Sequence, residues 1–278
     1  MECGPVASCG GIGRRLPTLH RMLTRARRLV LAAGMGLALV AGCSTDGGSD
    51  RTVGDPVTEE EAQALASLLQ RNQQRGGADF VVTAPYGEDT LLTLTGSVDF
   101  RKDVGRAQAV TSFGDGRPED TRTLFFTADQ VWVGDVAGLT DALAASGAPQ
   151  AAYLRRPVTT GPGNATPLLV DVLTEVVLNM SADTADDPRA VLARDYTWQG
   201  QRSIDSRLAT LFGLPGGETV AVAATDDLLT QFVTTLADTE FDVTITLSEH
   251  GTRRIDLPAE DETADAAQHA DVAKRLGI

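Results

Sequence analysis

Two stretches of this 278-residue chain alternate apolar and polar residues with a period of two, and a more helical region separates them. The first stretch covers residues 80–134, and the second covers residues 194–257 and ends before Pro258. Consecutive short strands with polar turns between them predict antiparallel meanders, in which each strand pairs with the next. The turn at Gln199-Gly200 and a strand over 252–257 belong to this prediction. The pattern restricts the chain to a fold built on antiparallel sheet.

Helical patterns flank and interrupt these strands. Thr58 and Glu61 form a capping box, which predicts a helix that ends at Gly76-Gly77. A short helix is predicted over 139–145, and a longer one over 167–180, with Thr166 as its cap and Pro167 at its first position. The longer helix is unusually apolar for so polar a chain.

The predicted fold class is α+β: a strongly curved antiparallel β-sheet, or half-barrel, with helices covering its concave face. The concave face is either a filled core, which we favour from the pattern alone, or an apolar cavity, because periodicity does not distinguish the two. One stripe of the long helix has the spacing of a single face, and its residues are the candidate ligand contacts: Leu169, Val172, Leu173 and Val176.

The N-terminus has the pattern of an export signal. Arginines at 25, 27 and 28 precede a short apolar run over 29–40, too short to span a bilayer. Val40-Ala41-Gly42-Cys43 resembles the lipobox of bacterial lipoproteins, which implies acylation of the Cys43 thiol and cleavage before it. Residues 1–42 are therefore predicted to be a lipoprotein signal peptide, with Met22 as a possible true start. A plain signal peptide with an incidental cysteine is the alternative.

Four segments follow from this organisation. After the signal peptide at 1–42, residues 43–57 are predicted to be a flexible tether, 58–258 the folded domain and 259–278 an acidic tail. The expected location is the outer face of the cell membrane, reached through the Cys43 lipid anchor. A net charge of -14 argues against a nucleic-acid partner and against electrostatic adhesion to anionic lipid, so acyl chains must provide the anchoring.

The chain offers little catalytic chemistry. Cys43 is the only cysteine after processing, and His250 and His269 are the only histidines, so we expect no metal site and no cofactor. Asp186-Asp187 and Asp226-Asp227 are interpreted as turn residues that bond to the local backbone. No nucleophile–base pair or phosphate-binding loop is recognisable, and we predict that the protein is not an enzyme. An unrecognised hydrolase is the remaining catalytic alternative.

Arg155 and Arg156 form the only arginine pair placed between a predicted strand and Pro157. Two guanidinium groups could hold a phosphate or sugar-phosphate head group at a pocket mouth. The simpler interpretation, which we favour, is a solvated strand edge that neutralises local negative charge.

Several segments resemble a known family. They are FVVT at 80–83, LTGSVDF at 94–100, QVWVG at 130–134, YTWQG at 196–200 and VTITLSEHGTRRIDLP at 243–258. Over residues 58–258 the chain resembles the LppX/LprG lipoproteins of mycobacteria, and more widely the LolA-like lipid carriers. The resemblance implies an actinobacterial envelope protein whose half-barrel holds acylated lipids or lipoglycans in a cavity under its helices. Trp132, within the QVWVG segment, joins the candidate ligand contacts on this basis.

Two functions are compatible with these observations. The first is a membrane-anchored carrier that binds a lipid or lipoglycan, which the broad apolar helix favours. The second is a non-enzymatic sensor or adaptor lipoprotein of the same fold that acts through a protein partner.

Overall fold

The computed structural model describes residues 51–86, 89–159, 167–235 and 241–278. The predicted signal peptide, Cys43 and the predicted cap Thr166 lie outside these residues. One sheet contains the following strands: β1 (Gly77–Pro85), β2 (Thr90–Asp99), β3 (Val104–Phe113), β4 (Asp120–Thr127), β5 (Gln130–Gly134), β6 (Tyr153–Pro157), β7 (Thr197–Ile204), β8 (Arg207–Gly213), β9 (Thr219–Ala223), β10 (Leu229–Thr235), β11 (Asp242–Ser248) and β12 (Thr263–Asp265).

The helices of the described residues are α1 (Glu59–Arg75), α2 (Leu139–Ala145), α3 (Leu169–Leu178), α4 (Pro188–Leu192) and α5 (Ala270–Leu276), with a 3₁₀ turn over Glu260–Glu262. α1 begins and ends as predicted. The Thr58 hydroxyl accepts from the Glu61 backbone N–H at 3.3 Å, and the Glu61 carboxylate accepts from the Thr58 N–H at 2.8 Å. Gly76 ends the helix with φ 96°, the left-handed conformation that glycine adopts without strain.

The strand order in the sheet is β12-β6-β5-β4-β3-β2-β1-β11-β10-β9-β8-β7. β1 to β6 form one meander and β7 to β11 form another, and β1 pairs with β11 to join them. Every pairing is antiparallel except that of β12 with β6. The sheet stays open, because its outer strands β12 and β7 do not meet. This arrangement confirms the predicted α+β half-barrel.

Most of the concave face is filled by a continuous apolar core. Phe80 and Phe126 point inward and meet edge to face, with 6.3 Å between their ring centroids. Leu68 of α1 and Leu173 of α3 belong to the same cluster and are fully buried. A hydrogen bond also connects α1 to the segment that follows α3, since the buried Asn72 side chain donates to the Met180 carbonyl at 2.7 Å.

The start of the second meander differs from prediction. The expected turn at Gln199-Gly200 is a bulge within β7, where Gly200 has φ 99° and the register with β8 shifts. The chain turns instead at Asp205 and Ser206, both with positive φ, which fits a two-residue hairpin turn. Glycine was the sequence cue for the turn, but aspartate also tolerates this conformation.

The predicted strand over 252–257 is wrong. β11 already pairs with β1 on one side and with β10 on the other, so no free edge is left beside it for a following strand. The segment instead leaves the sheet, and Arg253 binds Asp79 at 2.8 Å. Asp79 lies on the strand face opposite to Phe80, so the segment contacts the outer side of the sheet.

The helical region also needs correction. α3 begins at Leu169 rather than Pro167 and has no side-chain cap at Leu168. α4 was not predicted, and Asp187 caps it by accepting from the Arg189 N–H at 2.9 Å. A five-residue helix lies below the length at which periodicity is informative.

Both ends of the described chain contribute to the fold. Near the N-terminus, Pro56 forms a bridge with Thr197 at the start of β7, and Val57 is buried. Within residues 259–278, β12 extends the sheet edge beside β6. Helix α5 buries Val272 and Ala273 in a small cluster with Leu143 of α2.

Gly105 provides a test of core packing. A Cβ at this position would lie 2.1 Å from the nearest ring atom of Phe126, whose ring is fully buried. We therefore expect Gly105→Ala to lower the free energy of unfolding by about 1–3 kcal/mol in urea titrations. Gly251→Ala is the matched control, because its Cβ would meet nothing closer than 3.7 Å. Equal stability of the two variants would contradict the packing described here.

His250 predicts a pH dependence of stability. Burial lowers the pKa of His250 from its ordinary value of 6.5, the Arg207 guanidinium lowers it further, and Asp226 opposes the shift. The unfolded chain therefore binds a proton near pH 6.5 that the folded chain does not, and the free energy of unfolding falls as the pH drops below that value. Urea titrations at about pH 7.5 and about pH 5.5 measure the loss, and His250→Gln should reduce it. An identical loss in this variant would exclude His250 as a source.

Candidate functional site

A cleft of about 270 Å³ opens on the concave side of the sheet, between β2–β5 and the first turn of α3. Leu92, Ala109, Leu124 and Val133 form its wall on the sheet side, and Leu169 is among those facing them from the helix. The remaining lining residues are Tyr86, Thr111, Asp120, Arg122, Arg156, Leu168, Val170, Gly277 and Ile278. The cleft is thus largely apolar, with a few charged groups.

The charged groups of the cleft are paired with each other or with the backbone. Arg122 Nε lies 2.9 Å from an Asp120 carboxylate oxygen. The same guanidinium donates to the backbone carbonyls of Leu276 and Gly277 at 3.4 and 3.3 Å. These contacts hold the end of α5 against β4, so that Ile278 closes one side of the cleft.

Arg156 and Asp171 form a buried ion pair at the base of α3. Two guanidinium nitrogens of Arg156 each lie 2.7 Å from a carboxylate oxygen of Asp171, a bidentate geometry. Asp171 is completely buried and also accepts from the Thr159 N–H at 2.7 Å. Its position in the first helical turn is electrostatically favourable, because the helix N-terminus carries partial positive charge. The pair therefore fixes the start of α3, which forms one wall of the cleft, against β6.

The predicted helical stripe lies only partly in the cleft. Leu173 is fully buried in the core, and Val172 and Val176 are half-buried outside the cleft lining. Of the four candidates, Leu169 alone lines the cleft, together with Leu168 and Val170, which sequence reasoning did not select. Because the cleft meets only the first turn of α3, consecutive residues face it rather than a stripe along the helix.

The arginine pair is split between two faces of the sheet. Arg156 pairs in register with the inward-facing Val131, whereas Arg155 is paired with Trp132 on the opposite face. Arg155 binds Glu260 at 2.7 Å, on the segment that leads to β12. The two guanidinium groups therefore do not form one head-group site.

Trp132 lies on the outer face of the sheet, away from the cleft. It is buried beside Phe125, its partner in β4, and the Phe125 ring meets Tyr153 edge to face at 5.7 Å. The indole N–H of Trp132 has no hydrogen-bond partner among the described residues. The structure thus separates Trp132 and Arg155 from the other candidate residues.

The two aspartate pairs singled out in the sequence, Asp186-Asp187 and Asp226-Asp227, have structural contacts. Asp187 caps α4, and both carboxylate oxygens of Asp226 accept from Arg207 at 2.9 and 3.0 Å.

Across 51–86, 89–159, 167–235 and 241–278, no group of three or more His, Cys, Asp or Glu residues is arranged to hold a metal ion. A second cavity, of about 120 Å³, lies at the other end of α3, beside Leu178. None of the helices in the described part of the chain is long and apolar enough to cross a membrane.

The buried ion pair predicts a large effect when one partner is removed. We expect Arg156→Met to cost about 3–5 kcal/mol of unfolding free energy, because Asp171 is then buried without its counterion. The double variant Arg156→Met/Asp171→Leu should recover much of this loss, since it removes both charges. Urea titrations of the single and double variants measure the coupling, and simple additivity of the two substitutions would contradict the pairing.

Comparisons with known proteins give structural similarity only. No protein-family model and no curated protein matches the chain. The crystal structure of LprF from Mycobacterium bovis is 14% identical, with a TM-score of 0.42, over 74% of this chain and 99% of that one. A DUF1329 family protein from Desulfovibrio piger is also 14% identical, with a TM-score of 0.22, over 78% of this chain and 99% of that one. Both scores lie below 0.5.

Proposed function

We propose that this protein is an extracytoplasmic lipoprotein, anchored in the cell membrane through Cys43, whose cleft binds the apolar part of a lipid. The observation that carries the proposal is the cleft beside the first turn of α3. Its walls consist largely of aliphatic side chains from β2–β5 and α3, including Leu92, Leu124 and Leu169. Burial of a hydrocarbon chain against such walls is favourable in proportion to the apolar area removed from water.

The size of the cleft restricts the ligand. At about 270 Å³ it lies just below the usual range of small-molecule pockets, about 300–1,000 Å³. The concave face beneath α1 is occupied by Phe80, Leu68 and their neighbours in the core. The proposed ligand is therefore a lipid that inserts one chain, with its head group outside.

The charged side chains at the cleft are paired, which favours an uncharged part of the ligand beside them. Arg156 is matched by Asp171, and Arg122 is matched by Asp120. No unbalanced guanidinium remains among these four residues to select an anionic head group. Recognition of the ligand then depends mainly on shape and apolar contact.

Lipid analysis of purified protein tests the proposal. The chain without its signal peptide, carrying Cys43→Ser, should copurify with lipid or extract a long-chain lipid from vesicles, as detected by native mass spectrometry. A well-folded chain that takes up no lipid at saturating vesicle concentration would contradict the carrier function. That outcome would favour the sensor or adaptor alternative, with which the largely filled concave face is also compatible.

Leu169→Trp should reduce lipid uptake by occupying the cleft. The residue lines the cleft and is only half-buried, so the larger ring can extend into open space and should change the thermal midpoint little. Leu208→Trp, at an exposed position on β8 outside the cleft lining, is the matched control and should bind lipid like the parent. Unchanged lipid uptake in Leu169→Trp would place the ligand elsewhere.

Cys43→Ser tests the anchor separately. Since acylation requires the thiol, the substitution in the full chain should remove the lipid modification and move the protein from the membrane fraction to the medium. Intact mass and fractionation provide the measurement. A lipid modification that persists in Cys43→Ser would contradict anchoring through this residue.

A further inference from the structure

The strand ends of the half-barrel define two ends of the molecule. One of them, here called the rim, contains the end of β1 at Pro85, the start of β2 at Thr90, the start of β11 at Asp242 and the start of β7 at Thr197. The pairing register establishes this grouping, because Pro85 pairs with Leu91, Thr235 with Asp242, and Gly213 with both Thr197 and Thr219. The cleft also reaches the rim, since Tyr86 and Asp120 line it.

The described chain begins at the rim. Arg51 binds Glu61 in the first turn of α1, with 2.5 Å between nitrogen and oxygen, and stacks over the Trp198 ring at 5.1 Å. Residues 44–50 separate Cys43 from Arg51, and the eight residue steps between them span at most roughly 28 Å when fully extended. A chain acylated at Cys43 therefore has its rim, rather than its opposite end, tethered close to the bilayer.

Several exposed apolar side chains lie at the same end or beside the cleft that opens there. Eight large apolar side chains of the described residues are exposed; three of them lie at the rim, Val53 at 62%, Phe241 at 37% and Tyr86 at 36%, and a fourth, Leu168 at 42%, lines the cleft. Tyr86 lines the cleft as well. Tyrosine suits the membrane–water interface, where its ring contacts lipid and its hydroxyl contacts water.

Ion pairs compensate part of the charge of the rim. Arg51 pairs with Glu61, Arg117 with Asp115 and Arg122 with Asp120. Exposed carboxylates such as Glu59, Glu60 and Asp242 lie at the same end, so the rim offers a lipid surface no electrostatic attraction. Contact with lipid would then depend on apolar side chains and change little with added salt.

From the tether position, the exposed side chains and the cleft opening, we propose that the rim docks on the bilayer that carries the acyl anchor, with Tyr86 and Leu168 inserted into the lipid interface. The mouth of the cleft then faces the membrane, and a lipid chain passes from bilayer to cleft without crossing water. This inference rests on the proposed anchoring and lipid binding, and it adds the orientation in which they operate.

Environment-sensitive labelling tests the orientation. Tyr86→Cys and Leu168→Cys are each labelled with a nitrobenzoxadiazole probe in the mature acylated protein, where Cys43 is blocked by acylation. Leu208→Cys is the control, since Leu208 is 52% exposed but lies near the start of β8, at the opposite end. The proteins are reconstituted into phosphatidylcholine vesicles, with and without phosphatidylglycerol.

The probes at 86 and 168 should gain fluorescence several-fold, shift to shorter wavelength and be quenched by lipids with spin-labelled acyl chains. The probe at 208 should do none of these, and added salt should not reverse the response. Equal behaviour of all three probes in protein whose acylation is verified by intact mass would overturn the docking proposal and leave the anchor intact. A response abolished by salt would also overturn it.

The same labelled variants in the Cys43→Ser chain separate docking from anchoring. At high vesicle concentration the probes at 86 and 168 should still respond more than the control probe, with lower amplitude, because the apolar contact does not require the acyl chains. If intact mass shows no acylation of Cys43, this arm alone decides the docking proposal. Equal responses of the three probes here would overturn it.

Discussion

The antiparallel pairing of β1 with β11 is the contact on which the rest of the structure depends. It pairs residues that are far apart along the chain, such as Asp79 and Ser248, and joins the two meanders into one sheet. Each meander by itself forms from neighbouring strands, but only the joined sheet has a concave face long enough to cover α1 and α3. The same pairing occupies both edges of β11 and directs the following segment across the outer side of the sheet to β6.

The cleft exists because the helices do not fill the concave face completely. α1 packs into the centre of the half-barrel, whereas α3 covers β2–β5 only from Leu169 onward. The Arg156–Asp171 pair holds the start of α3, and the Arg122 contacts hold the end of α5. A small apolar space remains between these two attachments and reaches the rim, where Tyr86 and Asp120 line it.

The elements that sequence analysis predicted well are those whose signals are local. The capping box at Thr58, the glycine stop at Gly76 and the alternation along β2 each depend on residues within one element. The elements predicted wrongly are those in which strand pairing in the sheet overrode a local sequence signal. Residues 252–257 alternate like a strand, yet no edge was available to them, and Gly200 resembles a turn but is absorbed by a bulge.

The sequence by itself determined the α+β class, the two meanders, the first helix and the acidic character of the chain, because periodicity, caps and charge are properties of neighbouring residues. It also singled out Cys43 and Leu169 as candidates. Only the tertiary structure decided that Arg155 and Arg156 serve opposite faces, that Trp132 lies away from the cleft and that Arg156 is matched by Asp171. These facts depend on which strands pair and on how α3 is placed over the sheet, and no local pattern in the chain encodes that placement.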